Sequence, residues 1–324
     1  MYKSIITHND FDGIVSASIC SFVYRIDFIF FTGPSAITRS QTPVTKDDIV
    51  CDLPYPLECG LWFDHHEGNS QELEYRGIDL NSIAGSFELK PSCADVVYTY
   101  FSKTHRLPAH FEDHVREANI IDAFDYKDFQ DWRSETPGKI IDASIKIRED
   151  SIRAKNNYLK RLVLKLRKSS LAELAETPGV QDRYNQYLKQ EEEIIQMIRQ
   201  NAFFLPQDEK KEIVFLDFTA FNRRPYIIKN LAYLEYPDSL AVVEIQSLHR
   251  QGVKSNDISF SMSVSLNLKN MDHLKDVGEI MRELNLGDGH AGAAAGTLPN
   301  DSKQEMIKGK EETMDDVFRI WKAQ

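Results

Sequence analysis

The chain has 324 residues, 42% of them hydrophobic and 27% charged, and carries a formal net charge of −11. That length is too great for one comfortable core and predicts two domains, while the apolar share excludes a disordered chain. The acidic balance excludes long duplex nucleic acid as the main partner, since a polyanion is repelled unless positive charge is concentrated locally. A small anionic substrate remains compatible, provided cations reverse the local sign at its site.

Taken in chain order, Ser4-Ile5-Ile6-Thr7 reads as a strand, and the stretch from Gly13 to Tyr24 carries Val15, Ile19, Phe22 and Val23 at helical spacing. Asp27 to Phe31, Asp48 to Asp52 and Leu61-Trp62-Phe63 read as further strands; Ser92 to Phe101 and Phe111 to Ile121 read as helices. Strands alternating with helices predict an α/β fold, a parallel sheet with helices on both faces. From Ser151 to Phe204 the pattern turns helical, with Thr177-Pro178-Gly179 as a break, and this part is expected to act as a connector. The basic amphipathic run from Lys160 to Lys168 reads as an ordinary helix whose leucines pack inward.

Pro206 to Lys211 reads as a linker, which divides the chain into domains at 1–205 and 206–324. In the last third Ile213 to Phe218, Leu240 to Ile245 and Ile258 to Leu266 read as strands. The third sets Phe260, Met262, Val264 and Leu266 against serines on the other face. Helices are expected from His273 to Leu284 and at the C-terminus, so this part is a smaller α/β domain. The cysteines Cys20, Cys51, Cys59 and Cys93 form no CxxC pair. With no signal-peptide pattern and no apolar stretch near 18–20 residues, a cytoplasmic protein off the membrane is expected. A homodimer is compatible with the sequence.

The chemistry-bearing residues gather where the apolar runs stop. His8, Asp10 and Asp12 crowd the loop after the first strand, in His8-Asn9-Asp10-Phe11-Asp12-Gly13. Asp52 ends another strand, Asp64-His65-His66 ends a third, and Asp122 follows a helical run. In an open α/β sheet the loops at the carboxyl ends of the strands form the ligand crevice, so these residues read as a shared rim of metal ligands. Carboxylate and imidazole suit Mn²⁺ or Mg²⁺ better than thiolate-seeking metals. Two such ions, about 3.5–4 Å apart, can lower the pKa of a water between them and stabilise charge on phosphoryl oxygens. So many carboxylates together would repel strongly without cations.

These residues resemble the motifs of the DHH family of phosphoesterases, which includes RecJ nucleases, nanoRNA and pAp phosphatases, cyclic-dinucleotide phosphodiesterases and relatives of exopolyphosphatases. His8 to Gly13 resembles the first motif, Asp52 the second and Asp64-His65-His66 the name-giving triplet. Ser92-Cys93-Ala94 resembles the small-residue helix start that follows. Asp122 resembles the fourth motif, with Asp125 as the alternative. Gly287-Asp288-Gly289-His290-Ala291-Gly292-Ala293-Ala294-Ala295-Gly296 resembles the GGGHxxAAG signature of the DHH-associated substrate-binding domain.

The resemblance implies one metal held by His8, Asp10 and Asp52, and a second held by Asp12, Asp52, His65 and Asp122, with Asp52 bridging. It implies that Asp64 orients the adjacent histidine and that His66 faces the substrate phosphate. Gly287, Gly289 and His290 would contact substrate, and Arg223 and Arg224 are candidates for gripping a phosphate. Two positions depart from the pattern. Asp288 replaces the middle glycine, where a carboxylate facing the substrate would repel phosphate. Asn267 stands where many relatives have a phosphate-gripping arginine.

The implied activity is a metal-dependent phosphoesterase acting on short oligonucleotides or small nucleotide phosphates: nanoRNA, pAp, or linear or cyclic dinucleotides. Its cofactors would be two divalent ions, Mn²⁺ foremost and Mg²⁺ as the alternative. A pyrophosphatase or exopolyphosphatase is the runner-up, although it would need a denser cationic clamp. A non-catalytic nucleotide-binding module is the third reading. A processive RecJ-like nuclease is disfavoured by net charge and by the lack of a further nucleic-acid-binding domain.

Overall fold

The computed structural model describes residues 2–149, 151–269 and 271–324. By internal contacts it divides into two compact units, Met1–Tyr126 with Arg133–Leu188, and Lys127–Trp132 with Lys189–Gln324.

The first unit opens with β1 (Ser4–Thr7), α1 (Phe11–Tyr24), β2 (Ile29–Phe31), α2 (Pro34–Thr38), β3 (Asp48–Cys51) and β4 (Leu61–Asp64). It continues with α3 (Glu67–Tyr75), β5 (Gly85–Phe87), α4 (Cys93–Ser102) and α5 (His110–Asp122). The five strands pair in parallel in the order β2-β1-β3-β4-β5. Alternation along the strands serves two cores. Ile5, Ile49, Cys51 and Phe63 pack one face against α1, α4 and α5. Ile6, Val50 and Trp62 pack the other face with Ile37 of α2 and Leu73 of α3. A sheet buried on both faces needs apolar residues at consecutive positions, which is why these strands read as continuous apolar runs. The expected layering, helices on both faces of a parallel sheet, is what the structure has.

Five more helices follow: α6 (Phe129–Arg133), α7 (Pro137–Lys146), α8 (Ile152–Leu166), α9 (Leu171–Ala175) and α10 (Pro178–Asn201). The break expected at Thr177-Pro178-Gly179 falls between α9 and α10, with Pro178 as the first helical residue, where its missing N–H costs nothing. The basic run Lys160–Lys168 lies mostly in α8, whose Leu159, Leu162, Val163 and Leu166 are buried.

The second unit holds β6 (Ala202–Phe203), β7 (Ile213–Asp217), α11 (Ala232–Glu235), β8 (Ala241–Arg250), β9 (Val253–Val264) and α12 (Leu266–Lys269). It ends with α13 (Val277–Glu283), β10 (Gly287–His290), β11 (Ala293–Leu298) and α14 (Lys303–Ala323). Its sheet runs β10-β11-β9-β8-β7-β6, with only β7 and β8 parallel. Val243, Ile245, Phe260 and Met262 pack with α13 and α14 on one face. Two sequence expectations shift here. β9 begins at Val253 and stops at Val264, because Leu266 opens the helical turn that Ser265 caps by accepting the Leu268 N–H. The helix expected from His273 begins at Val277, because the Asp276 side chain caps it by accepting the Glu279 N–H. No helix among the described residues is long and apolar enough to cross a membrane.

One buried group sets an acid limit on stability. His114 of α5 is 0% exposed, and neither ring nitrogen has a well-formed hydrogen bond among the described residues. Burial, then the nearby His110, push its pKa from 6.5 down to about 4, and the Ser169 backbone and Asp113 offset this only in part. The folded protein thus holds His114 neutral. Its share of stability is whole above the unfolded value and is lost as pH falls from 6.5 towards 4, because the unfolded chain takes the proton first. The loss is on the order of 3 kcal/mol at about 1.4 kcal/mol per pH unit. Urea unfolding of a His114→Leu variant should show a shallower decline of stability between pH 6.5 and 4; an unchanged decline would place the acid limit elsewhere.

Candidate metal centre

Strand order decides where a ligand rim can form. β1 lies between β2 and β3, so the connections from β1 and β3 leave in opposite directions and open a crevice at their carboxyl ends. His8 follows β1, Asp52 follows β3, and Asp64 closes β4 with His65 directly after it.

Each ligand has a local reason for its position. Asp10 is the N-cap of α1, its carboxylate accepting the Gly13 N–H at 2.9 Å. Asp12 sits in the first helical turn, and both its oxygens are gripped by the start of α4: Cys93 N–H and Ala94 N–H donate to them, each at 2.7 Å. The helix N-terminus thus holds a buried anion with amides that have no partner inside the helix. Asp52 adopts φ of 57°, a left-handed conformation that costs a non-glycine residue on the order of 1 kcal/mol and gathers at functional sites. His65 donates its Nδ1–H to the Lys90 carbonyl at 3.0 Å, which turns Nε2 to the carboxylates.

The result is two groups that share a residue. His8 Nδ1 lies 2.5 Å from Asp10 Oδ2 and 3.5 Å from Asp52 Oδ2. His65 Nε2 lies 3.4 Å from Asp122 Oδ2, 3.7 Å from Asp12 Oδ2 and 3.7 Å from Asp52 Oδ1. Asp52 therefore presents one oxygen to each group. In each of the sets His8/Asp10/Asp52 and Asp12/His65/Asp122, one donor atom per residue lies within 4.8 Å of the others. Asp52/His65/His66 forms a third such set, so geometry also admits His66 as a ligand.

Electrostatics show what the arrangement lacks. Burial, then Asp52 and Asp122, push the Asp12 carboxyl well above its usual range; burial, then Asp10, raise Asp52. Burial and Asp52 push Asp122 up to about 6. Burial would lower His8 and His65, but carboxylate partners outweigh it and lift both to about 10. Asp52 Oδ2 and His65 Nε2 are buried without a hydrogen-bond partner among the described residues. Orphaned hard donors among mutually repelling carboxylates fit divalent cations, which would satisfy the donors and cancel the repulsion.

Asp64 is 0% exposed and accepts from His66 Nδ1 at 2.8 Å and from Asn69 Nδ2 at 2.5 Å. His66 is thereby fixed in orientation, with its side chain 52% exposed. Sequence reading missed Asn69 and the Lys90 carbonyl, which have no motif signal. It noted Ser92-Cys93-Ala94 as a helix start without seeing that the helix grips Asp12.

The candidate substrate residues lie in the second unit. Gly287, Gly289 and His290 are on β10. His290 Nδ1 accepts from Gly292 N–H at 3.1 Å and Ala293 N–H at 3.3 Å, and the residue is exposed. Asp288 pairs with Arg282 at 2.6 Å, a guanidinium that it shares with Glu279 at 3.0 Å, so its charge is partly offset. Asn267 donates to the Pro237 carbonyl at 3.1 Å. Arg223 and Arg224 are exposed, and Arg224 Nε donates to Gln246 Oε1 at 2.7 Å.

No family model matches the chain, and no curated protein matches it. Solved structures do. The pGpG-specific phosphodiesterase PggH of Vibrio cholerae aligns over 98% of this chain and 99% of its own, with a TM-score of 0.71 at 20% identity. The chain has the DHH fold. The DHH domain of a member of a ribosomal protein family aligns over 98% of this chain and 86% of its own, TM-score 0.59, at 10% identity. RecJ of Thermus thermophilus, in complex with Mn²⁺, aligns over 98% of this chain and 52% of its own, TM-score 0.53, at 13% identity. Within this DHH fold, the loop from His8 to Gly13 depends on close packing. A Cβ on Gly13 would lie 2.5 Å from the His8 carbonyl oxygen and 2.9 Å from Thr7 Oγ1. Gly13→Ala should therefore displace His8 and weaken Mn²⁺ binding at least about tenfold by calorimetry, the scale on which ligand-orienting contacts act. Wild-type affinity in that variant would show that the loop tolerates the shift.

Proposed function

We propose that the chain is a metal-dependent phosphoesterase that hydrolyses short oligonucleotides, linear dinucleotides foremost. The observation that carries this is Asp52, which turns Oδ2 to His8, in the set His8/Asp10/Asp52, and Oδ1 to His65, the histidine of the set Asp12/His65/Asp122. His8, Asp10 and Asp52 would hold one divalent ion; Asp12, Asp52, His65 and Asp122 would hold the other, most plainly as Mn²⁺ or Mg²⁺. Such a pair, when bound, supplies a water of lowered pKa and positive charge for the phosphoryl oxygens.

The remaining work falls to the chain's own side chains. Burial would lower the His66 pKa, but Asp64 outweighs it and raises it, so the imidazolium is favoured. With Nδ1 held by Asp64, His66 can donate from Nε2 to the oxygen of a departing nucleotide. Asp64 and Asn69 set its aim. The proteins of like fold support this reading: PggH is a pGpG-specific phosphodiesterase, and the RecJ structure holds Mn²⁺.

A phosphate-chain hydrolase is less well supported. Lys229 stands near Glu244, and Arg282 pairs with Asp288 and Glu279, so neither offers an unopposed charge to a dense polyanion. The test is a Mn²⁺-dependent activity panel of pGpG, pApA, pAp, cyclic dinucleotides, pyrophosphate and polyphosphate, with Asp52→Asn as the blank. Mononucleotides should accumulate from the linear dinucleotides; release of phosphate from pyrophosphate alone would overturn the reading.

A further inference from the structure

The face of the second sheet opposite α13 and α14 carries a polar surface with a defined layout. Register sets Ala295 beside Ser261 and Ser261 beside Glu244, across β11, β9 and β8. Thr297, Ser259 and Gln246 form the next row. Ala295 and Thr297 are exposed, and Ser259 and Ser261 are half-buried, so this is an open floor of small side chains. At its edge stand two charged groups. Lys229 reaches in from the segment before α11 and donates from Nζ to Ser261 Oγ at 2.6 Å. The Glu244 carboxylate accepts from Gln246 Nε2 at 2.5 Å through Oε1, and Gln246 is itself held by Arg224 at 2.7 Å.

Burial disfavours the charge on both: it lowers the Lys229 pKa and raises that of Glu244. Each feels the other's charge, yet no direct ion pair joins them among the described residues, and Glu244 Oε2 takes no hydrogen bond there. A half-buried ammonium and carboxylate that attract without touching are poorly served unless something lies between them.

We propose that this face reads a guanine base, with Glu244 accepting its N1–H and exocyclic N2–H and Lys229 donating to its O6. Guanine alone among the four bases presents two neighbouring donors followed by a carbonyl acceptor on its pairing edge. Adenine offers one donor beside an unprotonated nitrogen, uracil one donor between two carbonyls, and cytosine a single amine. The carboxylate fits the pair of donors, the ammonium fits the oxygen beside them, and Ser261 and Ala295 leave room for a flat ring. Gln246 and Arg224 act as positioning residues for Glu244. The proposal rests on the dinucleotide-hydrolase reading and names the base that substrate carries.

Two measurements test it. In hydrolysis by the full chain with Mn²⁺, kcat/KM should fall in the order pGpG, pIpI, pApA, since inosine lacks only the N2 amine. The pGpG preference over pApA should be about 10- to 100-fold, the range of one good bidentate base contact. Glu244→Gln, and independently Lys229→Gln, should bring that ratio near one, with folding checked by circular dichroism. Separately, calorimetry should detect 5′-GMP binding to the metal-free chain more tightly than 5′-AMP, and Glu244→Gln should abolish the difference. Dinucleotide hydrolysis without a guanine preference, or with one that both variants leave intact, would overturn the guanine assignment and leave the hydrolase reading standing. Glu244-dependent GMP binding in a chain that cleaves no dinucleotide would do the reverse.

Discussion

Replacing Asp52 with asparagine is expected to lower kcat/KM for dinucleotides by at least roughly 1,000-fold and, in the metal-free protein, to raise the melting temperature. The first effect follows from geometry. Asp52 is 2% exposed and turns one oxygen to His8 and the other to His65, so its loss weakens both proposed metal sites together. Metal-ion catalysis supplies several kcal/mol of charge stabilisation, at about 1.4 kcal/mol per factor of ten. The second effect follows from charge. Burial and Asp10 raise the Asp52 pKa more than His65 and His8 lower it, so without cations the ionised carboxylate works against the fold. An uncharged amide relieves that, and each kcal/mol gained moves the melting point of a domain this size by about 2–4 °C. Wild-type protein should in turn gain about 2.7 kcal/mol of stability from Mn²⁺ at a hundred times its Kd. Differential scanning calorimetry with and without Mn²⁺ reads the stability effects, and steady-state hydrolysis reads kcat/KM. An Asp52→Asn variant that keeps the full Mn²⁺-induced shift would remove Asp52 from the ligand set.

His66→Gln is the complementary case, expected to reduce kcat by about 100- to 10,000-fold, the usual share of a general acid or base. The metal content should not change, because the proposed ligand sets are complete without it. The structure makes this a sharp test, since Asp52, His65 and His66 also form a set of donors within ligand reach of one another. Loss of one metal per chain, measured by elemental analysis alongside the rate, would reassign His66 from proton donor to ligand. Asp64→Asn should fall between the two. It keeps a hydrogen-bond acceptor for His66 Nδ1 but removes the charge that favours the imidazolium.

Much of the site was legible because its residues interrupt strong local patterns. Apolar strand runs that stop at His8, Asp52 and Asp64-His65 mark positions where the chain leaves a buried sheet, and those ends share one edge of a parallel sheet. Asp10 was legible as part of the same loop after β1, while its role as the cap of α1 came from the structure. Asp122 is different. It ends a helix rather than a strand, so the strand-end logic does not place it; the packing of α5 against α1 and α4 brings it to His65.

By itself, then, the sequence determined the layering of the first unit, four of its five strands, β5 being too short to read, and the set of donors at the strand ends. These follow from apolar periodicity and from residue chemistry, both local. The tertiary structure alone decided which donors share a group. That depends on β1 lying between β2 and β3, and on distances that no spacing encodes. It also decided the partners without motifs: the α4 amides on Asp12 and the Lys90 carbonyl on His65, 81 and 25 residues away in the chain. Asp288 shows the same limit. Its charge read as an obstacle to phosphate, and the structure sets Arg282 beside it, shared with Glu279. Whether a charge is free or cancelled is settled by its neighbours in space, and the chain order does not list them.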